Sequence, residues 1–83
     1  MILTIISPNH KESFLIEYLE AHTDSGSIII KTGHAPIILT LTPDNDLSFM
    51  LKTGEMKSLY LTRPGFLDVD RTTVTALINK INE

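Results

Sequence analysis

No cysteine occurs among the 83 residues, which rules out disulfides and thiolate metal sites; a reducing compartment is permitted but not required. Glycine is sparse. The four glycines stand apart, with no Gly-x-Gly-x-x-Gly run and no Gly-Lys-Ser/Thr loop that would cradle a phosphate. No apolar run approaches the roughly 20 residues needed to cross a bilayer. The opening Met1-Ile2-Leu3-Thr4-Ile5-Ile6 also lacks the basic region and small-residue cleavage site of a signal peptide. Direct membrane insertion is therefore not expected, although a grip on a membrane protein would still hold the chain beside one. Clustered basic charge is absent too. Lys11, Lys31, Lys52, Lys57, Arg63, Arg71 and Lys80 are scattered singly in a chain of formal net charge −3. Nucleic acid, which needs a basic stripe for its phosphates, is not an expected partner.

What is present is enough for one domain, residues 1–83. A composition of 42% hydrophobic and 20% charged residues is globular rather than disordered. So short a chain buries only somewhat more than roughly 60% of its unfolded surface, so its stability is marginal and attachment to a partner is plausible. Most of it reads as short strands set off by turn residues. Met1–Ser7 is β-branched and apolar and stops at Pro8-Asn9-His10. Ser27–Lys31 lies between Asp24-Ser25-Gly26 and Thr32-Gly33, and Ile37–Thr42 follows Pro36, where a missing ladder donor is best tolerated. Leu47–Leu51 and Ser58–Thr62 flank Lys52-Thr53-Gly54-Glu55, a hairpin turn with Gly54 free to take positive φ. Arg63-Pro64-Gly65 breaks the chain again, before Phe66–Val69 and Thr73–Ile78. Strands at spacings of about 8–12 residues predict an antiparallel sandwich or barrel. The tail Ala76–Glu83 is too short for more than a turn or two of helix.

Lys11–His22 is ambiguous. Phe14, Leu15, Tyr18, Leu19 and His22 fall at helical spacing, and Glu12, Glu17 and Glu20 are good helix formers. Counted in twos, Phe14, Ile16 and Tyr18 share one face of a strand instead. Local spacing alone favours the helix.

The residue types that carry chemistry form no catalytic pattern. There is no Gly-x-Ser-x-Gly elbow, and Ser25 and Ser27 around Gly26 read as turn residues. His10, His22 and His34 never fall four apart or in a His-Glu motif, so no metal set is predicted. Asp44 with Asp46, and Asp68 with Asp70, sit two apart near turns and lack the further ligands of a calcium loop. No cofactor, metal or catalytic residue is expected.

The most specific feature is Gly33-His34-Ala35-Pro36-Ile37-Ile38. It is similar to the Gly-His-Ala-Pro-Leu-Leu signature of the epsilon subunits of rotary F-type ATP synthases. Pro64-Gly65-Phe66-Leu67-Asp68-Val69 looks like that family's Gly-Gly-Phe-Leu-Glu-Val, and Val74-Thr75-Ala76-Leu77 resembles its Val-Thr-Val-Leu. Pro43 and the opening strand with Ser7-Pro8 and Phe14 also fit, so the resemblance runs the whole chain in order. It departs where the family has a glycine-rich run before this signature. Gly26 is kept, but Ile29 and Thr32 stand where the family has glycine and proline. Pro64 replaces one of two paired glycines, and the glycine expected after Pro43 is absent, leaving Asn45 to supply a left-handed residue. Without the family name, Gly33 still permits a sharp turn and Pro36 pushes Ala35 toward extended geometry.

The resemblance implies an all-β fold, a flattened antiparallel β-sandwich or barrel of about eight to ten short strands, with Lys11–His22 as strand. It implies a non-catalytic central-stalk subunit that joins the gamma subunit to the polar loops of the membrane ring and couples proton flow to ATP synthesis. The setting would be peripheral, on the cytoplasmic face of the bacterial inner membrane. Gly33, His34, Ala35, Pro36, Ile37, Ile38 and Leu39 would face gamma, Asp24, Ser25, Gly26 and Ser27 would face the ring, and Gly65, Phe66, Leu67 and Val69 would be structural. Longer relatives carry a C-terminal pair of helices that restrains ATP hydrolysis and in some binds ATP; the sequence ends at Glu83, where that pair would begin. A second reading is a stand-alone β-sandwich adaptor, monomeric or homodimeric, diverged from the same fold. A third, a small hydrolase, would require His34 within reach of Ser25 or Ser27.

Overall fold

The computed structural model describes residues 1–79, and all regular structure in it is strand. The strands are β1 (Ile2–Ser7), β2 (His10–Thr23), β3 (Gly26–Lys31), β4 (Ile37–Leu41), β5 (Asn45–Leu51), β6 (Met56–Leu61), β7 (Gly65–Val69) and β8 (Thr73–Leu77). Of the tail, Ala76 and Leu77 belong to β8, and residues 80–83 lie outside the described residues. The predicted turns hold. Gly54 has φ +95° in the β5–β6 hairpin, where Leu51 N–H donates to Glu55 O at 2.8 Å. Pro8-Asn9-His10 shortens to a two-residue connection, because His10 pairs with Ser7.

Two layers share one long strand. The first half of β2 pairs with β1, in the layer β4-β7-β8-β1-β2, while its second half pairs with β3 on one edge and β5 on the other. The handover occurs at a β-bulge: Ile16 stands opposite Leu51 and Tyr18 opposite Met50, leaving Glu17 without a partner. Bulges bend a strand and raise its twist, which lets one strand serve both layers. The bulge also explains the helical spacing. Phe14 and Ile16 point inward before it, Leu19 and Ala21 after it, so the apolar positions advance by two, three and two. An extra residue in a period of two imitates a fragment of the 3.6 period. Lys11–His22 is strand, in an element running from His10 to Thr23.

The arrangement departs from the predicted antiparallel one at a single junction: β1 and β8 pair in parallel, Ile2 opposite Thr73 through Ile6 opposite Leu77. The hairpin β7–β8 is antiparallel in itself, but it returns from the other layer and enters beside β1 in the same direction. Between the layers lie Leu3, Ile5, Ile16, Leu19, Ile30, Leu41, Leu47, Phe49, Leu67, Val69 and Val74, and among the described residues no polar side chain is buried. Phe14 packs its ring on Phe49 with centroids 5.0 Å apart at 46°. This offset, tilted contact is favourable beyond area burial alone. Toward one side the inward positions turn polar, to Ser7, His10, Glu12 and Lys57, and the layers part into a cleft of about 1080 Å³ above the two rings.

Candidate functional site

The turn after β3 is built from backbone. Gly33 has φ +90°, a conformation L side chains rarely adopt, and this lets its N–H donate to Arg71 O at 2.7 Å. His34 N–H donates to Lys31 O at 3.1 Å, closing the turn. His34 Nδ1 lies 2.7 Å from Ala35 O; since a carbonyl only accepts, Nδ1 carries the proton and donates. The ring is half-buried, while Ala35 and Pro36 are exposed. Beyond them β4 is an edge strand that pairs only with β7. Ile38 stands 72% exposed on the outer face beside Asp68, and Ile37 is partly exposed. Leu39 is partly buried, its side chain packed against the core.

Asp24, Ser25, Gly26 and Ser27 are all exposed, at the opposite end of β3. Sequence reasoning missed Thr23, which organises this turn: its Oγ1 accepts from Ser25 N–H at 3.2 Å and donates to Gly26 O at 3.0 Å. The end of β4 is tied beside it, Thr42 N–H donating to His22 O at 3.0 Å. In the following turn the left-handed residue is Asp44 (φ 60°), not Asn45. The Asn45 amide instead donates to Thr42 Oγ1 and Pro43 O, at 2.8 and 3.2 Å. Tyr60 donates to Asp44 Oδ1 at 3.4 Å. Desolvation, then the Asp44 and Asp46 carboxylates, hold this phenol above its usual range.

The two predicted contact turns thus stand about 17 Å apart, the length of a six-residue strand. This separates His34 from Ser25 and Ser27, so the geometry of the hydrolase reading is not met. His10 and His22 are apart as well, at the start and near the end of β2, and His10 Nε2 lies 3.3 Å from Glu12 Oε1. Among the described residues, no three His, Asp or Glu side chains gather as a metal site would require.

The third motif splits by strand alternation. Gly65, Leu67 and Val69 are buried; a Cβ on Gly65 would stand 2.9 Å from Leu77 O and 3.3 Å from Ile78 Cγ2. Phe66 points the other way and is 51% exposed, in an outer row with Thr40 and Leu77. Its expected structural role is therefore not one of core packing.

The two-layer sheet with its connecting turns defines a small β-sandwich domain, and the family comparison is specific within that class. The model of the ATP synthase delta/epsilon chain, β-sandwich domain, matches residues 1–83, and the chain belongs to that family. Among solved structures it is similar to a chain of the Euglena gracilis mitochondrial ATP synthase (OSCP/F1/c-ring, rotational state 1), with TM-score 0.83 at 18% identity. It is likewise similar to a chain of the central stalk/c-ring of the Tetrahymena thermophila mitochondrial ATP synthase, with TM-score 0.81 at 20% identity. These likenesses concern the fold. The alignments cover 96% and 100% of this chain but 51% and 66% of those chains, so it spans between half and two thirds of their length.

Proposed function

We propose that the chain is a non-catalytic central-stalk subunit of a proton-translocating F-type ATP synthase, joining the gamma subunit to the membrane ring. The observation that carries this reading is the placement of the two candidate contact turns at opposite ends of β3, in a domain of the delta/epsilon family. A rigid body with one contact at each end transmits rotation without bond chemistry. Gamma would take the His34 turn with Ile37 and Ile38, and the polar ring loops would take Asp24–Ser27. The protein would then be peripheral, on the cytoplasmic face of a bacterial inner membrane. The adaptor reading draws on Ile29, which stands where relatives have glycine and is 53% exposed on the edge strand β3.

The test is a pull-down on gamma from the same organism. His34→Arg should lose most binding, because the half-buried ring site would have to desolvate a bulky charge. Ser25→Ala should leave gamma binding within about threefold, since exposed polar contacts are worth about 1 kcal/mol or less. A folded His34→Arg protein, verified by thermal melting, that binds gamma like wild type would remove this turn from the interface and favour the adaptor. Calorimetric titration with ATP should show no micromolar binding, because no phosphate-cradling loop is present.

A further inference from the structure

The two backbone hydrogen bonds that shape the His34 turn also gather cations around it. Gly33 N–H grips the carbonyl of Arg71 at 2.7 Å, and His34 N–H grips that of Lys31 at 3.1 Å. Lys31 and Arg71, forty residues apart in the chain, therefore flank one turn at the backbone level. Both side chains are exposed. Among the described residues the ion pairs are His10–Glu12 and Lys52–Glu17, and neither Lys31 nor Arg71 takes part in one. Asp70, the acid next to Arg71, forms no ion pair with it, and Asp68 lies on the outer face opposite Ile38. Two exposed cations without an ion-pair partner among the described residues thus flank one turn of a chain whose net charge is −3.

Resting on the reading of this turn as a docking site, we propose that Lys31 and Arg71 are specificity-determining residues that receive carboxylates of the partner protein. That partner segment lays apolar side chains over Ile37 and Ile38 and carries its acids alongside. The apolar, open edge of β4 continuous with the cations favours a protein segment over an anionic lipid surface, which would repel the chain's net negative charge. Complementary rim charge acts chiefly on association rate, and the effect fades with salt.

The experiment measures affinity for gamma at about 0.05 M and about 0.5 M salt, ionic strengths at which screening differs strongly. Arg71→Glu should bind about tenfold more weakly at the low salt and within about threefold of wild type at the high salt. Lys31→Glu should follow the same pattern. Lys57→Glu, an equal charge change at the cleft, should stay within about twofold of wild type. The fold should survive, because Gly33 holds the Arg71 carbonyl and not its side chain. Arg71→Gln, expected at about threefold weaker binding, replaces the reversal if that variant melts early. Wild-type binding with Arg71 and Lys31 variants no different from Lys57→Glu, and an unchanged salt dependence, would overturn the proposal and leave the docking reading standing. No binding of wild type to gamma at either salt overturns both.

Discussion

Phe49→Ala is expected to lower stability by about 3–5 kcal/mol, the range for truncating a large buried aromatic. Phe49 is 1% exposed and supports Phe14 from across the layers, so the substitution removes both its own burial and the ring contact. A domain of this size has only about 4–12 kcal/mol in hand, at roughly 0.05–0.15 kcal/mol per residue. The melting temperature should fall by about 12–40 °C, since each kcal/mol is worth about 4–8 °C in small domains. Phe66→Ala is the matched control. It removes the same atoms from the outer face, where the ring is 51% exposed, and should stay within about 1 kcal/mol of wild type. Equal losses from the two variants, read by thermal melting monitored by circular dichroism, would mean that the inner and outer faces of β7 are misassigned.

Gly65→Val is the second substitution with a large expected effect. A Cβ there would meet Leu77 O, a backbone atom, at 2.9 Å, and the two further methyls of valine have Ile78 Cγ2 and Leu41 Cδ1 for neighbours. Since β7 pairs with β8 and with β4, giving way would mean shifting a three-strand junction. Overpacking of this kind costs about 1–3 kcal/mol, occasionally more. Gly33→Ala makes the contrast. Nothing stands within 4 Å of its Cβ position, so only the φ of +90° opposes alanine, at about 1–2 kcal/mol. Chemical denaturation should rank Gly65→Val below Gly33→Ala in stability. The reverse order would show that the close approach of β7 to β8 is softer than its geometry implies.

Read alone, the chain placed seven of the eight strands to within two residues of their ends, because those limits are largely local. Gly54 and Gly33 permit a positive φ and the prolines fix φ wherever they occur, and the β-branched runs between them favour extended backbone. The turns at Gly33-His34-Ala35-Pro36 and Asp24-Ser25-Gly26-Ser27 were legible for the same reason. Which face Leu39 and Phe66 take was not legible. A family motif names residue types in order, while alternation against a particular partner strand decides which of them face the core.

Tertiary structure alone decided the rest. Whether Lys11–His22 is helix or strand depends on Glu17 bulging out where β2 passes from β1 to β5, and β5 lies about thirty residues further along the chain. The parallel pairing of β8 with β1 joins the two ends of the chain, a long loop closure that no local propensity encodes. The same closure brings the β7–β8 turn up to Gly33 and sets Arg71 beside Lys31. Residues scattered along the sequence come to flank one turn only when backbone hydrogen bonds between distant segments are satisfied. Local sterics choose the elements here; the need to bury their apolar faces and pair their edges chooses which elements meet.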